Sequence, residues 1–249
     1  MPALRRRDRL AIAVRASLLQ ATFNYERQQG LGWAWALKPA LDRFYWDSAA
    51  RRARLIEHSA YFNTQPTLAS LALGAVANLE ERRAAGTGPD AETIARARSA
   101  LGSAAAALGD PLFWFTLRPF AAALGVLLAP AGPLVCASAL WLCYNIVHLG
   151  LRLRGVDWGY DEGPAVLSGP RRERLVRLTR ALAGLGAALV GVILAWMLAP
   201  HGAPRPLIEQ VTLVAGLGVG MFAAQRGRPS PTEWAIGIGV LCVVATRLH

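Results

Sequence analysis

The amino-acid sequence predicts an all-α integral membrane protein, with amphipathic N-terminal helices followed by transmembrane or re-entrant helices. Hydrophobic residues make up 54% of the 249 residues and charged residues only 17%, which is more apolar than soluble domains usually are. No alternation typical of β-strands stands out. We expect residues 1–100 to form a helical region facing the cytoplasm or the membrane interface, and residues 101–249 to form the transmembrane region.

Four apolar stretches are the candidate membrane crossings. Residues 181–199 carry no charge and would reach ~28 Å as a helix, close to the hydrocarbon thickness of a bilayer. Residues 119–152 hold a longer uncharged stretch, interrupted at Pro130–Pro133. The other candidates are residues 207–224 and the short residues 234–246, whose length suits a tilted end or a half-helix buried in protein.

Arginines account for the net charge of +11 and cluster outside the apolar stretches, at residues 5–9, 51–54 and 171–180. A strongly basic chain often binds nucleic acid, but the apolar stretches argue against a nucleic-acid partner here. Arginines beside apolar stretches fit the positive-inside rule and attraction to anionic lipid. We therefore expect a multi-pass protein in the lipid bilayer, with a cytoplasmic N-terminus and no signal peptide.

The first helix is predicted from an apolar stripe. Leu10, Val14, Leu18 and Ala21 recur at helical spacing, which is typical of an amphipathic helix. Such a helix would lie on the membrane surface or pack against a partner.

Prolines, glycines and one N-cap predict the boundaries of the next elements. Pro39 and Pro66 mark breaks in the helices of this half. Residues 84–89 form a Gly/Pro-containing loop. Asp90 is placed to cap a helix that begins at Ala91.

The most informative single residue is Asp110, a carboxylate between two apolar stretches. A carboxylate at membrane depth is costly and usually serves a function or has a partner. Gly109-Asp110-Pro111 is equally a good turn sequence. If a helix begins after Pro111, Trp114 lies one turn beyond Asp110 and Thr116 follows. An aromatic ring beside hydrogen-bonding groups suits a sugar, although interfacial anchoring is a strong alternative for the tryptophan.

Two further motifs are polar. Residues 62–66 include Asn63 and Thr64, neutral donors and acceptors that suit a hydroxyl-rich ligand, although a helix end and a turn before proline explain them as well. Residues 23–30 include Asn24, with Glu26 and Arg27 beside it; this charged pair would bind internally, contact a partner subunit or form a solvated helical face.

No motif in the chain predicts catalysis. The four histidines make none of the spacings that bind zinc, and neither a nucleophile elbow nor a phosphate-binding loop occurs. We predict no catalytic residue, no metal site and no cofactor.

Signature motifs follow one another from about residue 15 to about residue 163. They are Leu19-Gln20, Asn24–Arg27, Gln29–Gly32, Pro39, Phe62–Pro66, Leu79–Glu81, Gly109–Trp114 with Thr116, Arg118 and Pro119, and Asn145, Leu149, Arg152 and Gly159-Tyr160. In this order they resemble the IID component of the mannose/fructose/sorbose-family sugar phosphotransferase system.

The resemblance implies a carrier subunit without a phosphohistidine of its own. In this family a IIC and a IID subunit form the carrier in the bacterial cytoplasmic (inner) membrane, as a trimer of IIC–IID pairs. Soluble IIA and IIB proteins relay the phosphoryl group. A sugar such as mannose, fructose or sorbose is phosphorylated as it crosses.

The motifs also nominate residues for these roles. The candidate sugar-binding residues are Asn24, Asn63, Thr64, Asp110, Trp114 and Thr116, and the candidate subunit-interface residues are Glu26 and Arg27. The chain departs from the family pattern at the alanines of residues 104–107 and at Phe115, where the family has glycine. These departures favour an alternative function, a membrane scaffold or regulator that keeps the fold without transporting.

Overall fold

The computed structural model describes residues 3–197, with side chains through residue 193. This part of the chain is helical and contains no β-strand, as the sequence predicts. The α-helices are α1 (Arg6–Arg15), α2 (Gly30–Phe44), α3 (Ser48–His58), α4 (Ala69–Ala84), α5 (Ala91–Leu112), α6 (Arg118–Leu127), α7 (Pro133–Glu162) and α8 (Pro170–Met197). The predicted spans at 207–224 and 234–246 lie outside the described residues, as do the last residues of the 181–199 span.

The chain divides into two compact units that do not follow one another in sequence. The first unit comprises the residues up to 118 together with 141–179, and the second contains residues 119–140 and the chain from 180. The first unit therefore holds α1 to α5, most of α7 and the start of α8. The division into functional regions at residue 100 stays a prediction.

Helix α1 forms where the sequence predicts it, and its apolar stripe faces away from the core. Leu10, Val14 and Leu18 are 54%, 56% and 56% exposed. The buried positions are Ile12 and Ala13, followed by Ala16 and Leu19 beyond the helix end. The exposed stripe is thus compatible with the expected contact to a membrane surface or a partner. A second, smaller apolar face of the helix makes the contact with the core.

Pro39 does not end a helix, contrary to the prediction, but lies inside α2. Proline has no N–H to donate to the carbonyl four residues earlier, here that of Trp35. Arg15 replaces the missing donor, because its Nη1 lies 3.2 Å from the Trp35 carbonyl oxygen. The same guanidinium stacks 5.0 Å from the centre of the Trp35 ring. A side chain from the preceding segment therefore allows α2 to continue.

The other boundaries of this half are confirmed. Helix α5 begins at Ala91, and the Asp90 carboxylate accepts a hydrogen bond of 2.8 Å from the Thr93 N–H. Hydrogen bonding by the Thr93 side chain, and then by this N–H, lowers the pKa of Asp90. Pro66 precedes α4, where the Gln65 amide oxygen accepts the N–H groups of Thr67 and Leu68 at 2.7 and 3.0 Å. Side-chain oxygens thus satisfy the free donors at both helix starts.

Helix α4 forms the centre of the first unit, and glycines allow α7 to approach it closely. Residues 69–77 of α4 are all buried. A methyl group at Gly74 would lie 2.2 Å from the carbonyl oxygen of Val156, and one at Gly159 would lie 2.0 Å from that of Leu71. The two helices therefore meet backbone to backbone, and any side chain at these glycines would push them apart.

The long apolar stretch at 119–152 is interrupted as predicted. Helix α6 ends at Leu127, a short 3₁₀ turn follows at Ala129–Ala131, and α7 begins at Pro133. Two helical stretches in the described part are long and apolar enough to cross a membrane, Pro133–Leu167 and Pro170–Ile193. Their most apolar windows are almost entirely exposed, and an apolar helix without a protein cover requires lipid or a partner around it.

Candidate functional site

The segment between α3 and α4 is extended and held by amide hydrogen bonds. The side-chain amide of Gln29 donates to the Thr64 carbonyl at 2.8 Å and accepts from the Thr64 N–H at 3.0 Å. Phe62 is buried, with its ring centre 4.1 Å from that of Trp33. Asn63, between these two anchored residues, is exposed. The segment therefore presents one polar side chain outward from a fixed backbone.

This segment lies along α5. The Thr64 hydroxyl donates to the Gly102 carbonyl at 2.7 Å. A methyl group at Gly102 would lie 2.8 Å from Phe62 Cε2, and one at Gly109 would lie 2.6 Å from the Gln65 Cβ. The glycines of α5 thus provide the space for the segment, and the Thr64 hydroxyl is used within the fold.

The turn at residues 24–28 adjoins the same segment. The Asn24 side chain accepts the Arg27 N–H at 2.8 Å and donates to the Thr22 carbonyl at 3.2 Å. The backbones of Asn24 and Gln28 pair with each other, and Gln28 has a φ of 52°. The Phe62 N–H donates to the Arg27 carbonyl at 3.3 Å. Asn24 therefore shapes a turn that is fastened to the extended segment.

Glu26 and Arg27 project from this turn. Both are exposed, and the Arg27 Nε lies 3.9 Å from the Glu26 carboxylate. An exposed ion pair at this distance contributes little to stability. The two side chains are accordingly available for contact with another molecule.

Asp110 lies inside a helix, so both structural interpretations of its motif, a turn at Gly109-Asp110-Pro111 and a helix start after Pro111, were wrong. No turn forms at Gly109-Asp110-Pro111, and no new helix begins after the proline, because α5 runs to Leu112 with Pro111 within it. A π-helical segment, Phe113–Leu117, follows directly and leads into α6.

The Asp110 carboxylate is half-buried and has an unusual lack of partners. Among residues 3–197, it is the one carboxylate that makes no hydrogen bond and no ion pair; even the exposed Glu26 has an arginine within 3.9 Å. A carboxylate oxygen accepts hydrogen bonds readily. Asp110 can therefore accept donors from a molecule that binds beside α5.

The π-helical segment separates Trp114 and Thr116. Trp114 is partly exposed, and the Arg118 guanidinium lies 5.4 Å from the centre of its ring. Thr116 is buried on the other side of the segment, whereas Phe115 is exposed. The structure thus presents Trp114 outward with a cation over its ring and Thr116 inward.

A buried polar network links helical segments of the first unit, and of this network the sequence analysis singled out only the Leu79–Glu81 motif. Glu80 is fully buried; it accepts the Tyr45 hydroxyl at 2.6 Å and lies 3.0 Å from His58 Nε2. Burial, and then the Glu80 carboxylate, raise the pKa of Tyr45 above its ordinary value. The adjacent Glu81 accepts the hydroxyl of Tyr160 from α7. The two carboxylates of the Leu79–Glu81 motif therefore have different partners: Glu80 binds Tyr45 and His58, and Glu81 binds Tyr160.

Two buried arginines serve carbonyl groups. Arg98 donates to the carbonyls of His58 and Tyr61 at 2.8 and 3.1 Å, and burial lowers its pKa. Arg152 donates to the carbonyl of Ala16. Both arginines bind backbone carbonyls near the ends of other helices. The sequence did not predict these contacts, because no residue pattern marks a carbonyl group as a partner.

The predicted site residues thus fall into two groups. Asn24, Asn63 and Thr64 lie on the connected turn and segment that pack along α5, the helix that carries Asp110. Trp114 and Thr116 follow on the π-helical segment and point to opposite sides.

Comparison with known proteins identifies the family. The family described as "PTS system mannose/fructose/sorbose family IID component" matches residues 3–201. The mannose-specific EIID component of Escherichia coli (strain K12) is 35% identical over 187 residues, which are 75% of this chain and 66% of that protein. The fructose permease IID component of Bacillus subtilis (strain 168) is 31% identical over 190 residues, 76% of this chain and 69% of that protein.

Solved structures agree with the sequence comparison. One described as a membrane protein has a TM-score of 0.73 and 27% identity, covering 99% of this chain and 98% of its own. The mannose transporter ManYZ in complex with microcin E492 has a TM-score of 0.63 and 27% identity, covering 100% and 98%. The chain spans about two thirds of the length of the curated relatives, 66% for the mannose-specific one. The chain belongs to the IID components of the mannose/fructose/sorbose-family phosphotransferase system, and it is an all-α membrane protein.

Proposed function

We propose that this chain is the IID subunit of a sugar permease in the bacterial cytoplasmic (inner) membrane. Together with a IIC partner it binds a sugar and moves it across the membrane, where IIA and IIB proteins supply the phosphoryl group. Membership of the family supports the role. The named relatives act on mannose, fructose and sorbose at similar identities of 31% to 35%, so the proposal covers this class of sugars.

The partnerless carboxylate of Asp110 is the observation that carries the proposal. A half-buried carboxylate at the end of α5 is costly to keep without partners, and sugar hydroxyls are the donors it lacks. Trp114 offers an exposed ring for the apolar C–H face of the sugar, and Asn63 offers an exposed amide. Thr64, Asn24 and Thr116 would support the site by positioning the segments on which these groups lie.

The turn with Glu26 and Arg27 is the proposed contact with the IIC subunit. Both charged side chains are exposed; they pair with each other, and Arg27 Nη1 also donates to the Ser59 hydroxyl at 3.4 Å. They lie next to the segment that carries Asn63, so a partner bound there would also border the proposed sugar path. Three such IIC–IID pairs would form the complete carrier.

The proposed orientation places the N-terminus in the cytoplasm. The Leu4 N–H donates to the Tyr160 hydroxyl at 3.3 Å, and Arg9 binds Asp161 at 2.9 Å. The start of the chain therefore lies at the arginine-rich end of α7. The positive-inside rule assigns such an end to the cytoplasm.

Sugar uptake by cells that co-express the IIC, IIA and IIB partners tests the role of Asp110. We expect Asp110→Asn to lower uptake about 100-fold, the effect of losing one charged hydrogen-bonding group worth about 3 kcal/mol. Glu92→Gln, on the same helix but exposed and paired with Arg96, is the matched control and should leave uptake unchanged. Unchanged uptake by Asp110→Asn, with normal assembly, would contradict the proposed sugar contact.

The second candidate is a scaffold or regulator that no longer transports. The uninterrupted course of α5 through the alanines at 104–107 favours it, because a continuous helix has less backbone freedom than a Gly/Pro-rich one. Purification with a IIC subunit and sugar-dependent phosphorylation in vesicles would exclude this candidate. Assembly without any sugar-dependent phosphorylation would favour it.

A further inference from the structure

Arginines crowd the region where α7 ends and α8 begins. Residues 5–9 and 154–179 together contain nine arginines, five carboxylates and no lysine. The N-terminal segment reaches this region through the contact between Leu4 and Tyr160. The first turn of α8 reaches it through Arg171, whose guanidinium lies 4.1 Å from the centre of the Trp158 ring. Both segments therefore contact the last turns of α7.

The carboxylates of this region are already neutralised by arginine. Each of the five has an arginine partner within 4 Å in the described part of the chain. The pairs are Asp8 with Arg7 (3.7 Å), Asp157 and Asp161 with Arg9 (3.5 and 2.9 Å), Glu162 with Arg171 (3.0 Å) and Glu173 with Arg177 (3.4 Å). The surplus positive charge consequently rests on the other arginines.

Five exposed arginines carry this charge; the net surplus of the region is +4, because Arg9 is shared by two carboxylates. Within residues 3–197 none of the five arginines forms an ion pair. They are Arg5, Arg6, Arg154, Arg172 and Arg174. Exposed guanidinium groups that lack an acid partner bind phosphate well, because their planar N–H groups match two phosphate oxygens at once.

The position of these arginines indicates where the phosphate comes from. Both membrane-length helices have their charged ends here, α7 at its C-terminus and α8 at its N-terminus. Trp158 lies in the last turns of α7 and is half-buried, and an aromatic residue at such a helix end marks the headgroup level of a bilayer. A phosphate group at this level belongs to a phospholipid.

We propose that Arg5, Arg6, Arg154, Arg172 and Arg174 form a binding surface for the headgroups of anionic phospholipids. The apolar residues of α7 that precede Arg154 contact the acyl chains of the same lipids. None of these arginines is among the residues of the proposed sugar path, so the proposal stands whether or not the chain transports a sugar.

Lipid binding to the purified full-length protein in detergent tests the proposal. Native mass spectrometry would count bound lipids during titration with phosphatidylglycerol and, separately, with zwitterionic phosphatidylcholine. We expect a preference for phosphatidylglycerol, and a weakening of about tenfold in Arg172→Gln/Arg174→Gln, given the usual attraction of a basic side chain to an anionic membrane. The matched control, Arg52→Gln/Arg96→Gln, removes two exposed arginines from α3 and α5 and should bind like the wild type.

Three outcomes would overturn the proposal. Phosphatidylcholine could bind as tightly as phosphatidylglycerol, or the double variant could bind like its control. Displacement of phosphatidylglycerol by millimolar inorganic phosphate would assign the arginines to a free phosphate ion instead. Because all the replaced arginines are on the surface, their substitution should barely affect folding. Arg154→Gln, on a different helix, provides an independent variant with the same expected direction.

Discussion

Helix α4 and the apolar part of α7 contain similar residues but have different surroundings. Residues 69–77 of α4 are buried in protein on every side. In α7 the most apolar window contains no buried residue, and Leu142 and Ile146 are exposed on its surface. The first helix obtains its apolar environment from its own chain. The second must obtain it from lipid or from a partner.

The comparison separates two sources of stability. Around α4 a glycine-mediated helix crossing and the buried Glu80 network fix the first unit from within. The apolar surface of α7 contributes to stability only when the solvent around it is apolar. Changes near α4 should therefore alter the folding of the unit, and changes on α7 should alter insertion into the membrane.

Removal of the Glu80 carboxylate should have the largest effect. Glu80→Ala leaves the buried His58 and the half-buried Tyr45 without their partner, and we expect it to destabilise the protein by about 3–5 kcal/mol. Thermal unfolding in detergent, followed by circular dichroism, measures the loss. Glu92→Gln, an exposed carboxylate on α5, should change stability by less than about 0.5 kcal/mol. Similar melting temperatures for both variants would contradict the structural role of the network.

The helix crossing can be tested with two glycines of α7. Gly159→Ala would place a methyl group 2.0 Å from a carbonyl oxygen of α4, and we expect a loss of about 3 kcal/mol. Gly150→Ala meets no atom within 4 Å and should be neutral or slightly stabilising. The same unfolding assay distinguishes them, and equal stability would argue against the close crossing.

Two exposed isoleucines test the lipid environment of α7. Ile146 on α7 is 71% exposed and Ile56 on α3 is 64% exposed. We expect Ile146→Arg to disfavour membrane insertion by about 2.5–3.5 kcal/mol, the cost of an arginine at the centre of a spanning helix. Ile56→Arg should have no such effect. Resistance of the protein to carbonate extraction from membranes measures insertion, and identical behaviour of the two variants would contradict the difference between the regions.

The smallest expected effect concerns Tyr45 and pH. Tyr45→Phe removes the hydrogen bond to the Glu80 carboxylate and should cost about 1.5–3 kcal/mol at neutral pH. Because the folded protein raises the Tyr45 pKa above 10.0, the neutral phenol stabilises the fold fully below pH 10. This contribution declines at higher pH, when the unfolded chain releases the proton first. The stability difference between wild type and variant should therefore shrink above pH 10; a constant difference would contradict the raised pKa.

Local signals in the sequence predicted much of the fold. The Asp90 cap, the loop before it and the interruption at Pro130–Pro133 depend on a few neighbouring residues, and all three are confirmed. The breaks expected at Pro39 and Pro111 were wrong, because a distant donor replaces the missing N–H in one case and α5 continues through the proline in the other. Such compensation depends on tertiary contacts that a local pattern does not contain.

The site was predictable only in part for the same reason. Polar residues that interrupt apolar sequence pointed to Asp110 and Asn63. Among the described residues Asp110 has no hydrogen-bond or ion-pair partner, and Asn63 is exposed. The sequence did not distinguish them from Thr64, whose hydroxyl is used by Gly102. It also did not predict the pairing of Glu80 with Tyr45 and His58, since these residues come from three separate helical segments. The roles of the candidate residues in sugar binding remain predictions.

The contact between Arg15 and the Trp35 carbonyl has an evolutionary consequence. Arg15 supplies the donor that Pro39 lacks, so the value of the arginine depends on which residue occupies position 39. An alanine there would restore the N–H and release Arg15 from this role. Substitutions at the two positions should accordingly be non-additive. The order in which a lineage acquired the proline and the arginine would then have mattered, because the proline is tolerated best where the arginine is already present.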